Sequence, residues 1–441
     1  MPTSRIALAL GALAVFFANQ SVQVLAIPFY QMTLSVDPLW LALAMAVPLL
    51  VGSLWASLLS NWLSRQVAPI LAYRRCLALG SCGLGGCFML MWLVPPTWSS
   101  GLQLSYFAVC CVGFFLALPL LSVSFTSLLF AATPSVQAKQ FAVVGVVHKV
   151  GSLVYQWLVP LCQVSYFSSF ISGVRQIGVA VALLLLTLPG LIAAWRWSTP
   201  ALPNAAQPSP LTAEPALVAT TSLTQTARQP AVWRLLALGA LQLCGCAAVA
   251  SYDFYLLVYS QHAGDLAAGA TDKAWLSSLY AVAGLAWVPV LSRSQARWGA
   301  LTTLSWVFAL NALGGAAKWW LFAPDAGRWV LLDALLCSVA WSAMVMLLPP
   351  LLRQASPTAT DPQVSALHHW LVSISAALAM ILSGFGLTLL QFSPQTSDTS
   401  LPWLRWLLSG GTVGCSLLAL WLLWQIRRHL QPNLRTRITG V

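Results

Sequence analysis

Four full charges interrupt the long apolar stretches of this chain: Lys149, Asp253, Lys318 and Asp333. A charge placed in hydrocarbon costs at least ~2.5–3.5 kcal/mol, so it faces a partner, a cavity or a ligand. Lys149, with His148 beside it, has no acid at its depth. An unpaired ammonium there would favour an anionic solute such as a uronide or organic acid; the plainer alternative is a lysine that snorkels and serves packing. Lys318 and Asp333 can pair between neighbouring helices, as a static bridge or as a gate latch. Asp253, flanked by Tyr252 and Tyr255, is the candidate for proton or cation coupling, against the plainer reading of an interfacial carboxylate in contact with water. Asn19, Gln20, Ser21 and Gln23 cluster in mid-span, and Asn19 and Gln23, four apart, share one helix face. Amides hydrogen-bond solute hydroxyls without charge, though polar residues also join helices in membranes. Tyr155, Gln156 and Trp157, one to two turns beyond Lys149, and Trp341 complete the candidate solute-binding set; Trp55 and Trp370 are further aromatic candidates. His368 and His369 read as a proton sensor or as an interfacial pair.

The elements that must position these residues are membrane helices. Of the 441 residues, 59% are hydrophobic and 7% charged, where a soluble domain carries about 25% charged residues. Lipid offers the backbone no hydrogen bonds, so a crossing needs about 20 mostly apolar residues in a helix. Solid runs such as Val181-Ala-Leu-Leu-Leu-Leu-Thr-Leu exclude the alternating pattern of a membrane β-barrel. Twelve spans are expected, at 6–32, 39–60, 76–94, 103–131, 141–163, 176–195, 235–260, 274–292, 300–323, 329–351, 365–391 and 406–425. The first is read as a span and not as a cleaved signal peptide, because its apolar run outlasts a signal core. The expected fold class is an all-α polytopic membrane protein.

With both termini inside, the cytoplasmic segments hold 15 of the 21 basic residues and the outer loops four, among them Arg175, Lys273 and Arg405. The positive-inside rule therefore predicts cytoplasmic N- and C-termini. The net charge of +12 follows from that asymmetry and attracts anionic lipid headgroups. Scattered basic residues argue against a nucleic-acid partner. None of the ten cysteines forms a metal-ligand spacing with histidine, and no phosphate-binding loop or nucleophile–base pair is present. No cofactor, no metal site and no enzymatic activity are expected.

Residues 199–232 form the longest polar stretch, rich in Pro, Ala, Ser and Thr, a composition that cannot bury a core. It divides the chain into a six-span bundle at 1–198, a flexible cytoplasmic linker at 199–232, and a second six-span bundle with a short basic tail at 233–441. Six plus six around such a linker is the arrangement of the major facilitator fold. Ala26-Ile-Pro-Phe-Tyr30, then Val36-Asp-Pro-Leu-Trp40, Arg74-Arg75, the run from Lys149 to Pro160, Gly173-Val-Arg175 and the stretch from Tyr255 to Tyr259 occur in the order of a known pattern. On these segments the chain resembles the glycoside–pentoside–hexuronide:cation symporter family, whose best-known member is the melibiose carrier. The resemblance implies a secondary transporter that moves a small polar solute, a sugar, glycoside or uronide, by alternating access. It also implies an Arg and two acids on helix 2, but Leu49, Gly52 and Ala56 occupy those positions here. Ser373 stands where the family often has a helix 11 lysine. Sodium coupling is therefore not carried over. Rival expectations are proton-linked efflux or lysolipid movement, and a receptor or scaffold that kept the fold and lost transport. A monomeric multi-pass protein of the plasma membrane, the inner membrane in a bacterium, is expected.

Overall fold

A computed structural model describes residues 5–66, 68–130, 134–155, 157–197, 223–356, 359–390 and 397–438. Gln156 and most of the 199–232 linker lie outside the described residues.

Among the described residues the chain forms twelve long helices. We label them α1 (Arg5–Thr33), α2 (Pro38–Ser64), α3 (Pro69–Met91), α4 (Ser100–Phe130), α5 (Pro134–Tyr155) and α6 (Phe170–Arg196). After the linker come α7 (Pro230–Gln261), α8 (Leu266–Trp298), α9 (Ala300–Leu321), α10 (Pro324–Ala355), α11 (Asp361–Leu389) and α12 (Ser397–Ile438). Ten of them are long and apolar enough to cross a membrane; α3 and α5 are the two that fall short. Their sequences give the reason: α3 carries Arg74 and Arg75 with a glycine-rich middle, and α5 carries Lys139, His148 and Lys149.

Local chemistry sets the helix starts. Asp37 caps α2, its carboxylate accepting from the Leu39 and Trp40 amides at 2.9 and 3.1 Å, with Pro38 in the first turn. The side chain satisfies amides that have no partner inside the helix. Asp265 does the same for α8 through Ala267 and Ala268, and Thr360 with Gln363 makes a capping box at α11. Most helices begin earlier than hydropathy alone predicts. Lys273, Arg175 and Arg405, expected in loops, sit inside α8, α6 and α12. The Asp265 cap, and Ser169 accepting from the Ser172 amide at 3.2 Å, explain the first two.

Four stretches of π-helix occur among the described residues: Ile27–Thr33 in α1, Ala182–Thr187 in α6, and Leu241–Cys246 and Leu256–Gln261 in α7. Such wide turns are rare and concentrate at functional sites.

One hydrophobic core draws almost entirely on α1–α6, and two smaller ones are centred on α7–α12. The two sets meet along two seams. In the first, α2 lies along α11 in the most extensive helix–helix contact among the described residues; in the second, α5 packs on α8. Glycine permits close approach at both. Gly384 of α11 has no side chain to separate it from Pro38 and Leu39, and Gly284 of α8 receives the end of Lys149. Inside the first set, Gly52 of α2 meets the backbone carbonyl of Phe115 in α4, where a Cβ would overlap the oxygen.

Candidate functional site

Between the seams lies a cavity of about 250 Å³ that takes residues from α1, α2, α4, α7, α10 and α11. Asn19, Gln20 and Gln23 line it from α1, and Trp341 lines it from α10. The spacing of the amides on α1 puts them on the face turned away from the α1–α6 core. Gln31, Ser251, Tyr255, Ser373 and Ser383 add further polar groups. No charged residue is among the described lining residues. The Asn19 amide is partly spent within its own helix, donating to the Val15 carbonyl at 2.8 Å. Ser251 and Ser383 hydroxyls lie 2.5 Å apart across α7 and α11.

The cavity is bounded at both ends by bonds between the two sets of helices. At the end that carries the start of α11, Ser122 Oγ of α4 and His369 Nδ1 of α11 lie 3.0 Å apart, and Ser127 donates to Ser365 at 3.5 Å. Trp370 Nε1 donates to the Ser53 carbonyl at 2.5 Å. At the other end the Tyr255 hydroxyl of α7 donates to Gln31 Oε1 of α1 at 2.9 Å. Gln31 sits within the π-helical turn of α1, and Tyr255 directly precedes the one at the end of α7.

A second pocket of about 160 Å³ opens beside the first and shares Gln20, Gln23, Ile27 and Ser251 with it. Tyr155 lines this pocket from α5, and Asp253 and Lys273 line it from α7 and α8. Lys273 Nζ donates to Asp253 Oδ2 at 2.5 Å.

The remaining candidates lie elsewhere. Lys149 lines neither cavity; its Cε and Nζ rest on Gly284, where an added Cβ would come within 2.7 Å of both. Its ammonium makes no ion pair and no hydrogen bond among the described residues. His148 stacks near Phe16, with ring centroids 5.4 Å apart, and its buried Nε2 has no partner among the described residues. Trp157 donates to Ser278 Oγ at 2.8 Å and packs edge-on to Trp275, closing the α5–α8 seam. Lys318 and Asp333 are joined at 2.6 Å, with Tyr280 donating to the same carboxylate oxygen at 2.5 Å. This triad ties α8, α9 and α10 together and touches neither cavity. Trp55 is exposed and also lines neither.

Sequence reasoning missed Gln31, Ser251 and Ser383. Gln31 continues the four-residue series of Asn19 and Gln23 but lies two turns beyond their cluster, at the end of α1.

The described donors do not assemble a metal centre: no group of three or more His, Cys, Asp or Glu side chains is placed to hold an ion among the described residues. No family model matches the chain. No curated protein matches it either. Solved structures do share its fold. A bacterial homologue of the iron transporter ferroportin, in an outward-facing state, superposes with a TM-score of 0.64 at 14% identity, covering 96% of this chain and 99% of that one. The nucleoside transporter NupG superposes with a TM-score of 0.59 at 12% identity, covering 95% of this chain and 98% of that one. At these identities the likeness establishes the fold: an all-helical architecture held in common with solved membrane transporters.

Proposed function

We propose that this chain is a secondary transporter of the major facilitator type that carries a small, neutral, polar solute across a membrane by alternating access. The observation that carries the proposal is the amide-lined cavity between the two sets of helices, closed at each end by bonds that cross from one set to the other. In that reading, 1–198 and 233–441 are the moving halves and 199–232 is a cytoplasmic linker, with both termini on the cytoplasmic side. In the same reading the chain is a multi-pass monomer of the plasma membrane, or of the inner membrane in a bacterium. Ser122–His369 and Trp370–Ser53 would close the inner side, and Tyr255–Gln31 the outer.

The chemistry of the lining favours a hydroxyl-bearing solute such as a glycoside. Amides and hydroxyls both give and accept hydrogen bonds, and no fixed charge lines the main cavity to select an anion. The argument for a uronide rested on Lys149, which lies on Gly284 instead. A metal-ion solute is disfavoured because the described lining offers neither a carboxylate nor an imidazole. A nucleoside, a neutral hydroxylated solute, remains within the proposed class.

Uptake by sealed proteoliposomes, with and without proton and sodium gradients, tests the reading. A glycoside is expected to accumulate, and Gln23→Ala is expected to reduce uptake about two- to tenfold, the worth of one neutral hydrogen bond. A protein that binds glycosides but never moves them across a sealed vesicle would instead be a receptor of the same fold. Movement of amphipathic or lysolipid compounds alone would favour the efflux alternative.

A further inference from the structure

The Asp253–Lys273 pair stands at the wall of the second pocket, with Lys318 and Tyr280 of the buried triad within electrostatic range of Asp253. Both residues belong to α7 and α8, which already pack on each other. The pair does not bridge the two sets of helices, so it is not a latch between them. Its side chains are 8% and 18% exposed. Asp253 Oδ2 receives Lys273, but Oδ1 is buried with no partner among the described residues. A buried carboxylate oxygen without a donor is costly. Lys273, for its part, has three N–H donors, of which Asp253 takes one. The wall therefore offers an unmet acceptor and spare donors side by side, with no net charge. Across the pocket stand Gln20 and Gln23 of α1, which also line the main cavity.

We infer that this pocket is a subsite for the hydroxyl-bearing end of a neutral solute, with Asp253 Oδ1 accepting one hydroxyl proton and Lys273 donating to an adjacent hydroxyl oxygen. The inference rests on the transport reading above and adds the residues that select the solute. Opposed charges fixed at contact distance cancel at long range, so the site has no net charge to draw in an ion, while it suits groups that can both give and take a hydrogen bond. Gln20 and Gln23 continue the same chemistry into the main cavity. One solute would then touch α1 on one side and α7 with α8 on the other, which couples its presence to the approach of the two halves.

The test uses the full-length purified protein in detergent, with tryptophan fluorescence reporting binding of methyl β-galactopyranoside, a set of its single-deoxy analogues, and glucuronate. The wild type is expected to bind the neutral glycoside and to discriminate against at least one deoxy analogue and against glucuronate by tenfold or more. Asp253→Asn and Lys273→Gln are each expected to weaken glycoside binding roughly ten- to hundredfold, the range for hydrogen bonds to charged groups, and to erase that discrimination. Gln20→Leu, which leaves the ion pair intact, guards against variants that fail to fold and is expected to weaken binding less. Undiminished glycoside binding by a folded Asp253→Asn protein overturns the subsite. So does a wild type that binds none of the glycosides, or that prefers glucuronate. A wild type that binds with the expected discrimination but moves nothing across proteoliposomes overturns the transport reading and leaves the subsite standing.

Discussion

Lys318→Met alone is expected to destabilise the protein by about 3–5 kcal/mol, the cost of stranding one member of a buried ion pair. Lys318 is 4% exposed and Asp333 fully buried, and their contact at 2.6 Å is shared with the Tyr280 hydroxyl. Removing the ammonium leaves a carboxylate whose second oxygen already lacks a partner among the described residues, with the Tyr280 hydroxyl and the Cys337 thiol beside it. Lys318→Met combined with Asp333→Leu is expected to recover most of that loss, because an apolar pair of similar volume needs no desolvation. Denaturant titration in detergent micelles measures both. A single variant as stable as the wild type would refute the account. The double variant also separates a strut from a gate. The triad lines neither cavity, so uptake per folded molecule should stay near the wild-type rate, whereas a gate latch would lose control of it.

Gly52→Asp restores an acid that the symporter resemblance places on helix 2, and it is expected to cost folded protein and to confer no sodium dependence. The Gly52 position faces the Phe115 carbonyl of α4 so closely that any Cβ overlaps the oxygen. Overpacking of this kind costs about 1–3 kcal/mol, and a carboxylate without a partner adds its desolvation. Even Gly52→Ala should lower the melting temperature. Leu49→Asp, three residues earlier but on the cavity wall, is expected to leave more folded protein, since its carboxylate can be hydrated. Fluorescence-detected size-exclusion profiles across a heating series read the difference. A Gly52→Asp protein that is stable and takes up solute with sodium would show that α2 and α4 can part at this point.

The helices and the cavity-facing amides were legible in the sequence because both depend on one-dimensional quantities. Length and apolarity set a span, and a spacing of four sets a face, so Asn19 and Gln23 could be assigned to one cavity wall. Azimuth about the helix axis could not be read in the same way. Helix rise puts Lys149 at mid-span, but depth does not say which neighbour it meets, and it meets Gly284. Asp253 was taken for an isolated carboxylate because Lys273 had been assigned to a loop; the Asp265 cap extends α8 and brings the lysine to it. Gln31 and Tyr255 meet across 224 residues of chain, a pairing that no helical period reveals. Gly52 and Ala56 read as lost coupling residues from the resemblance. In the structure they are buried, with Gly52 set against the α4 backbone.

Gly384 and Gly284 give the two seams a mechanical character. Surfaces studded with interlocking side chains must lift over one another to move, and each lift opens empty volume. Where a glycine meets a backbone or the end of a flexible lysine, little has to be lifted. In the proposed alternating-access cycle the halves would roll on these points as on a bearing, with friction set mostly by the few polar bonds at either mouth.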